Sequence, residues 1–164
     1  MYKTTISSPL GKLTLTSDGV SLTGLFIEGQ KYFLAQQGPF IEKKDLEVFL
    51  ETQDWLKRYF SEEKPSPKEL PLKFLGTEFR KVVWQELLSI PYGETVTYKE
   101  LGKRVYKKLE KNSISFQAIG GAVGHNPISI IVPCHRVIGS DGSLVGYAGG
   151  IEIKEYLLHL EQSS

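Results

Sequence analysis

Three short stretches near the start of the chain, Tyr2–Ile6, Lys12–Thr16 and Ser21–Ile27, are rich in Thr, Leu and Ile. Pro9-Leu10-Gly11 and Asp18-Gly19 separate them, so they predict a small antiparallel sheet. From Asp45 to Phe60 the period changes. Leu46, Phe49, Leu50, Leu56, Tyr59 and Phe60 fall on one helical stripe, read as core with no chemistry assigned. Ser61–Pro71 carries three prolines and predicts a linker. Thr77-Glu78-Phe79 opens a second helix with Phe79, Val82, Val83 and Leu87 on one face, closed by Ile90-Pro91-Tyr92-Gly93. Thr97 and Glu100 match a capping box, so a third helix should run from about Tyr98 to Tyr106. A polar stretch, 107–115, leads to a helix of small residues over 116–123. Ile128–Val132 is a continuous apolar run suited to a buried strand. Asp141-Gly142 marks a turn, Gly149-Gly150 a break, and Ile151–Leu160 a last amphipathic helix. The expected class is α+β: a small N-terminal antiparallel sheet with a helix over 1–70, then a mostly helical part over 71–164.

Composition adds limits. A chain of 164 residues makes one substantial domain, or two small ones sharing a core. No segment approaches the roughly 18 consecutive apolar residues of a membrane span. The first twelve residues lack an apolar signal core. A single cysteine cannot form an internal disulfide, and a lone thiol fits a reducing cytoplasm. Net charge is +1, so bulk electrostatics announce no nucleic acid. Locally, Lys99, Lys103, Arg104, Lys107, Lys108 and Lys111 stand against Glu100 and Glu110. Alone, that run reads as a solvated helix face; with a second signal it reads as a phosphate-contacting patch. Two short helices joined by a polar turn suggest a helix-turn-helix. On the second, Ala118, Gly121 and Ala122 form a face with almost no side-chain height. Such a face suits tight helix packing or close approach to a nucleic-acid groove.

The candidate chemistry lies at Pro133-Cys134-His135-Arg136-Val137. A free cysteine is usually a small buried hydrophobe. Here it ends an apolar run, precedes a histidine and an arginine that both favour thiolate, and sits where glycines concentrate. Thiolate is the nucleophilic form, with a free-thiol pKa of about 8.5. Adjacent residues of an extended strand face opposite sides, so direct contact between Cys134 and His135 requires a turn, and a bridging water is the easier arrangement. Glu161 is a candidate to orient the imidazole. His125, His135 and His159 show no ligand spacing with the cysteine, and no metal site or cofactor motif is expected.

The segment Asn126–Ile138, centred on Pro133-Cys134-His135-Arg136, closely resembles the active-site signature of the O6-alkylguanine-DNA alkyltransferases, the methylated-DNA–protein-cysteine methyltransferases. The resemblance extends through Phe79–Trp84, Ile90–Leu101, Ala118–Ala122 and Gly146-Tyr147 to Glu161. It implies that Cys134 attacks the carbon on guanine O6, and that His135 acts through a water, oriented by Glu161. It implies that Asn126 supports the active-site turn and that Tyr98 assists a base turned out of the duplex. Gln117, Ala118, Gly120, Gly121, Arg136, Val137, Ser140, Tyr147 and Ala148 are the implied substrate- and DNA-contacting set, with Val137 and Tyr147 lining the base pocket. The implied partner is double-stranded DNA carrying O6-alkylguanine, with O4-alkylthymine a further candidate, engaged through the minor groove by a monomer without a cofactor. A thioether has no easy leaving group and no second cysteine exists to resolve it, so each molecule should act once. Two departures stand out: Gln117 stands where the family usually has arginine, and the connection between the two helices is a few residues longer. The alternatives are a non-catalytic damage binder or regulator of the same fold, against which the retained thiol argues, and a cysteine hydrolase, which the adjacent Cys-His order does not support.

Overall fold

The computed structural model describes residues 1–30, 38–144, 147 and 149–163. Strands β1 (Tyr2–Ser8), β2 (Gly11–Ser17) and β3 (Leu22–Ile27) form an antiparallel meander. A two-residue strand, β4 (Ile41–Glu42), adds in parallel beside β1, giving the order β3-β2-β1-β4. It is too short to leave a sequence period. Every residue of β3 is buried, because this strand is covered on both faces and along its free edge. That edge is paired by other backbone: Leu22 N–H donates to the Pro71 carbonyl, Leu25 N–H to Pro127, and Ser129 N–H to Leu25. An otherwise open edge is thereby closed by the backbone at 71–73 and by the segment that leads to Cys134.

Helix α1 (Glu47–Phe60) buries Val48, Phe49, Thr52, Trp55, Leu56 and Tyr59. The predicted stripe is rotated slightly: Leu50 faces solvent, and Val48 and Trp55 turn inward. The segment 61–71 joins the two halves but is not loose. Ser66 caps a short 3-10 turn over Pro67–Glu69, its carbonyl accepts from Trp55 Nε1 at 2.8 Å, and Leu70 is buried. Arg58 pairs with Glu69 at 2.8 Å. Prolines here fix φ for a docked turn rather than marking flexibility.

Helix α2 (Glu78–Leu87) leads to a two-residue strand, β5 (Val96–Thr97), then α3 (Tyr98–Lys108) and α4 (Phe116–Gly124). The Thr97–Glu100 capping box forms as the sequence predicts. Trp84 Nε1 donates to the Ala122 carbonyl at 2.8 Å and ties α2 to α4. The expected strand at Ile128–Val132 does not form. Only Ile128 bridges, to Leu25, and the rest is a buried turn with Ile130 at φ 74°. Both a strand and an inward-facing turn can bury a five-residue apolar run, and periodicity does not separate them. A 3-10 turn over Cys134–Arg136 follows, then β6 (Val137–Ile138) beside β5, and α5 (Ile151–Gln162). One apolar core runs from Leu13 and Trp55 through Trp84 to Ile131 and Leu157. Among the described residues no helix is long and apolar enough to cross a membrane.

Candidate active site

The buried turn leads directly into Cys134. Asn126 lies at its centre: Nδ2 donates to the Val132 carbonyl at 2.8 Å and to Cys134 Sγ at 3.1 Å, while Oδ1 accepts from Ile128 N–H at 3.0 Å. One side-chain amide thus satisfies backbone groups that the turn would otherwise bury unpaired. Burial pushes the Cys134 thiol up to about 11, against the Asn126 hydrogen bond and the charge of Lys154, which pull it down. The resting group is a neutral thiol, contrary to the expectation that its neighbours hold it as thiolate. The reason is geometric: His135 and Arg136 are spent on Glu161.

The 3-10 turn rotates His135 away from the direction a strand would give it. Its ring is fully buried, with Nε2 2.6 Å from Glu161 Oε2. Burial lowers the imidazole pKa, outweighing the carboxylate, so the ring is neutral near neutrality. A carboxylate partner assigns the proton to Nε2 and leaves Nδ1 as the acceptor. Nδ1 is buried and has no hydrogen-bond partner among the described residues. Arg136 donates from Nε to Glu161 Oε1 at 2.7 Å and from Nη1 to the Ile90 carbonyl at 2.6 Å. Its guanidinium therefore points inward, onto Glu161 and the Ile90 carbonyl. Burial would raise the Glu161 carboxyl, but the donors from His135 and Arg136 hold it at about 2.

Two members of the site were missed in the sequence. Lys154 is fully buried, donates from Nζ to the Val137 carbonyl, and lies 5.9 Å from the Tyr98 ring centroid. Burial lowers its pKa and the Cys134 charge opposes this. Tyr59, read as plain core, donates its hydroxyl to Glu161 Oε2 at 2.5 Å. A signal for Lys154 was present: Lys154, Leu157, Leu158 and Glu161 occupy i, i+3, i+4 and i+7, so the buried stripe of α5 includes both charges.

The remaining candidates divide. Tyr98, at the start of α3, is half-buried, and its phenol is pushed up to about 12 by burial and the nearby Cys134. Tyr147 is buried, its pKa raised by burial and by Cys134, and its hydroxyl has no well-formed hydrogen bond among the described residues. Val137 is buried in β6, and Ser140 is exposed beyond it. Gln117 and Ala118 are exposed on α4, and a Cβ added at Gly120 or Gly121 would meet nothing within 4 Å. The small residues at 118, 120 and 121 therefore face open space, and only Ala122 packs inward. Lys99, Lys103, Arg104 and Lys107 are exposed on α3. Ala148 lies outside the described residues. Among the described residues no cluster of His, Cys, Asp and Glu could hold a metal ion.

A thiol cradled by Asn126, next in sequence to a buried histidine held by Glu161 and in a chain without a second cysteine, fits an acceptor centre for group transfer. Sequence and structure comparisons give the family. The DNA-binding domain of 6-O-methylguanine DNA methyltransferase matches residues 78–163, and its ribonuclease-like domain matches residues 1–74. The methylated-DNA–protein-cysteine methyltransferase of Haemophilus influenzae is 42% identical over 162 residues, covering 99% of this chain and 87% of that protein. That of Methanosarcina barkeri is 44% identical over 165 residues, covering 100% and 99%. The crystal structure of Mycobacterium tuberculosis OGT in complex with DNA superposes with a TM-score of 0.86 at 40% identity, covering 99% of this chain and 94% of that one. This chain belongs to the 6-O-methylguanine DNA methyltransferase family.

Both buried groups make stability acid-sensitive. The folded Glu161 carboxyl lies near 2 against an ordinary 4.5, and His135 lies below its ordinary 6.5. Both are depressed, so their contribution is complete above the ordinary values and is lost as pH falls. For Glu161 the shift corresponds to roughly 3 kcal/mol, lost from about pH 4.5 downward. In urea titrations the protein should lose stability steeply between pH 6.5 and 3. With His135→Gln in both proteins, which removes the imidazole titration that Glu161 itself raises, Glu161→Gln should lose clearly less stability between pH 4.5 and 3 than the protein that keeps Glu161. Equal losses in both proteins would contradict the assignment.

Proposed function

We propose that this protein repairs DNA by moving an alkyl group from O6-alkylguanine onto Cys134, once per molecule. The observation that carries the reading is the Cys134 thiol itself, held by Asn126 in a buried turn inside a family of methylated-DNA methyltransferases. The target carbon lies within the base stack, so the base is turned out, at least cost for a damaged pair. The Sγ–carbon bond forms as the carbon–O6 bond breaks, and the electron pair stays on guanine. The thiol proton passes through a water to His135 Nδ1, whose partner Nε2 is held by Glu161. Tyr98, a neutral phenol beside the thiol, donates to the departing base. The Tyr98 proton stays on guanine and the proton held by His135 returns to Tyr98 through water, so thiol and alkylguanine become thioether and guanine. Lys154 adds a fixed positive charge near the sulfur as it loses its proton. A neutral resting thiol is spared reaction with stray electrophiles until the lesion arrives. Alkylation ends the cycle, because a thioether offers no leaving group.

The partner in this reading is double-stranded DNA, approached in the minor groove by α3 and α4 acting as a helix-turn-helix. The open face at Ala118, Gly120 and Gly121 supports backbone approach, and the exposed lysines of α3 support phosphate contact. Residues 71–164 bind and react, a monomer suffices, and a working thiol suits the cytoplasm. O4-alkylthymine presents the same kind of alkyl–oxygen bond and is the second candidate substrate.

Cys134→Ser should abolish methyl transfer from an O6-methylguanine duplex while duplex affinity stays within about threefold, since the thiol is chemistry and the helices are affinity. Transfer retained by the serine variant would refute the mechanism. Gln117 tests the placement of α4. Gln117→Arg adds a cation at the groove, so it should tighten duplex binding and steepen its salt dependence. If Gln117→Arg and Gln117→Ala both leave affinity and repair rate unchanged, α4 does not face the DNA.

A further inference from the structure

Tyr59 belongs to α1, in the half of the chain with no part in the reaction described so far. Its hydroxyl nevertheless meets the same Glu161 oxygen, Oε2, that receives His135 Nε2, at 2.5 and 2.6 Å. Arg136 Nη2 reaches that oxygen at 3.1 Å. Tyr59 is held there from three sides. Its ring stacks on Trp55 at 5.5 Å and meets Phe60 and Tyr92 edge-on at 5.3 and 6.0 Å. Burial and the Glu161 charge raise its phenol, so it stays protonated and acts as a donor at every working pH.

A carboxylate oxygen has a limited share of negative charge to give. Each donor that binds it takes part of what would otherwise stabilise a proton on His135. We propose that Tyr59 is a positioning residue that sets the base strength of His135 by sharing Oε2 of Glu161. The N-terminal half would then tune the chemistry of the C-terminal half through one hydroxyl. This inference rests on His135 being the base in the transfer reaction.

The other charged and titratable groups around the pair stay in place when this hydroxyl is removed. Arg136 holds Glu161 Oε1 and stands 5.7 Å over the Tyr92 ring, with Lys64 over the same ring at 5.5 Å. Lys154 and Arg136 both lower the His135 pKa. Tyr147 and Cys134 lie on the sulfur side. Gly93 N–H donates to Oε1 at 3.3 Å, and Oε2 receives the two side chains in question and Arg136 Nη2.

Tyr59→Phe keeps the ring and removes only the donor. With the hydroxyl gone, Glu161 should hold the His135 Nε2 proton more strongly, and that proton should move downfield in spectra of histidine-labelled protein. The acid limb of methyl transfer from an O6-methylguanine duplex should move up by about 0.5–1 pH unit, since the base now protonates more readily. Phe49→Leu, a core change on the same helix, controls for general loosening of α1 and should move neither readout. An unmoved proton signal or an unmoved limb in Tyr59→Phe overturns the proposal, as do equal shifts in Phe49→Leu. A wild-type protein that transfers no methyl refutes the repair reaction, and the proton signal then decides on Tyr59 alone.

Discussion

The carboxylate of Glu161 is the constraint on which the site depends. It is charged and almost without solvent, a placement that costs several kcal/mol unless donors repay it. The donors come from three places far apart in the chain: Tyr59 from α1, Gly93 from the loop after α2, and His135 and Arg136 from the 3-10 turn. Meeting this one electrostatic demand brings the first helix, the last helix and the reactive turn into register. The same demand fixes the histidine tautomer and removes Arg136 from the surface.

Burial has the opposite effect on Cys134. It favours the neutral thiol, and the partners that counter it, Asn126 and Lys154, do so only in part. In the proposed reaction the site is therefore quiet at rest, with an acceptor nitrogen on His135 and a cation on Lys154 available once transfer begins. This division suits a protein whose nucleophile can be used once, because premature alkylation would waste the whole molecule.

The motif that carries the family was legible in the sequence because it is local. Asn126 and Pro133-Cys134-His135-Arg136 lie within eleven residues, and the capping box at Thr97 follows from residue spacing alone. Most of the elements were legible for the same reason, with three regular strands and five helices marked by period and punctuation. What failed depended on contacts distant in sequence. The apolar run at Ile128–Val132 is a turn because β3 lends it hydrogen bonds across a hundred residues. Tyr59 is part of the site because its hydroxyl meets a carboxylate 102 positions away. The partners of Arg136 were not legible either, because sequence shows its charge and not the carboxylate 25 positions away that receives it. The docking of segment 61–71 was not legible, because proline serves flexible and docked turns alike.

Titration to stoichiometry tests the central claim most directly. The protein is incubated with increasing amounts of an O6-methylguanine duplex, and its intact mass and the peptide containing Cys134 are weighed. The account predicts that methyl incorporation rises with lesion, stops at one group per protein molecule however much lesion remains, and lies on Cys134. Continued loss of lesion beyond that equivalence, or methyl found elsewhere in the chain, would contradict it.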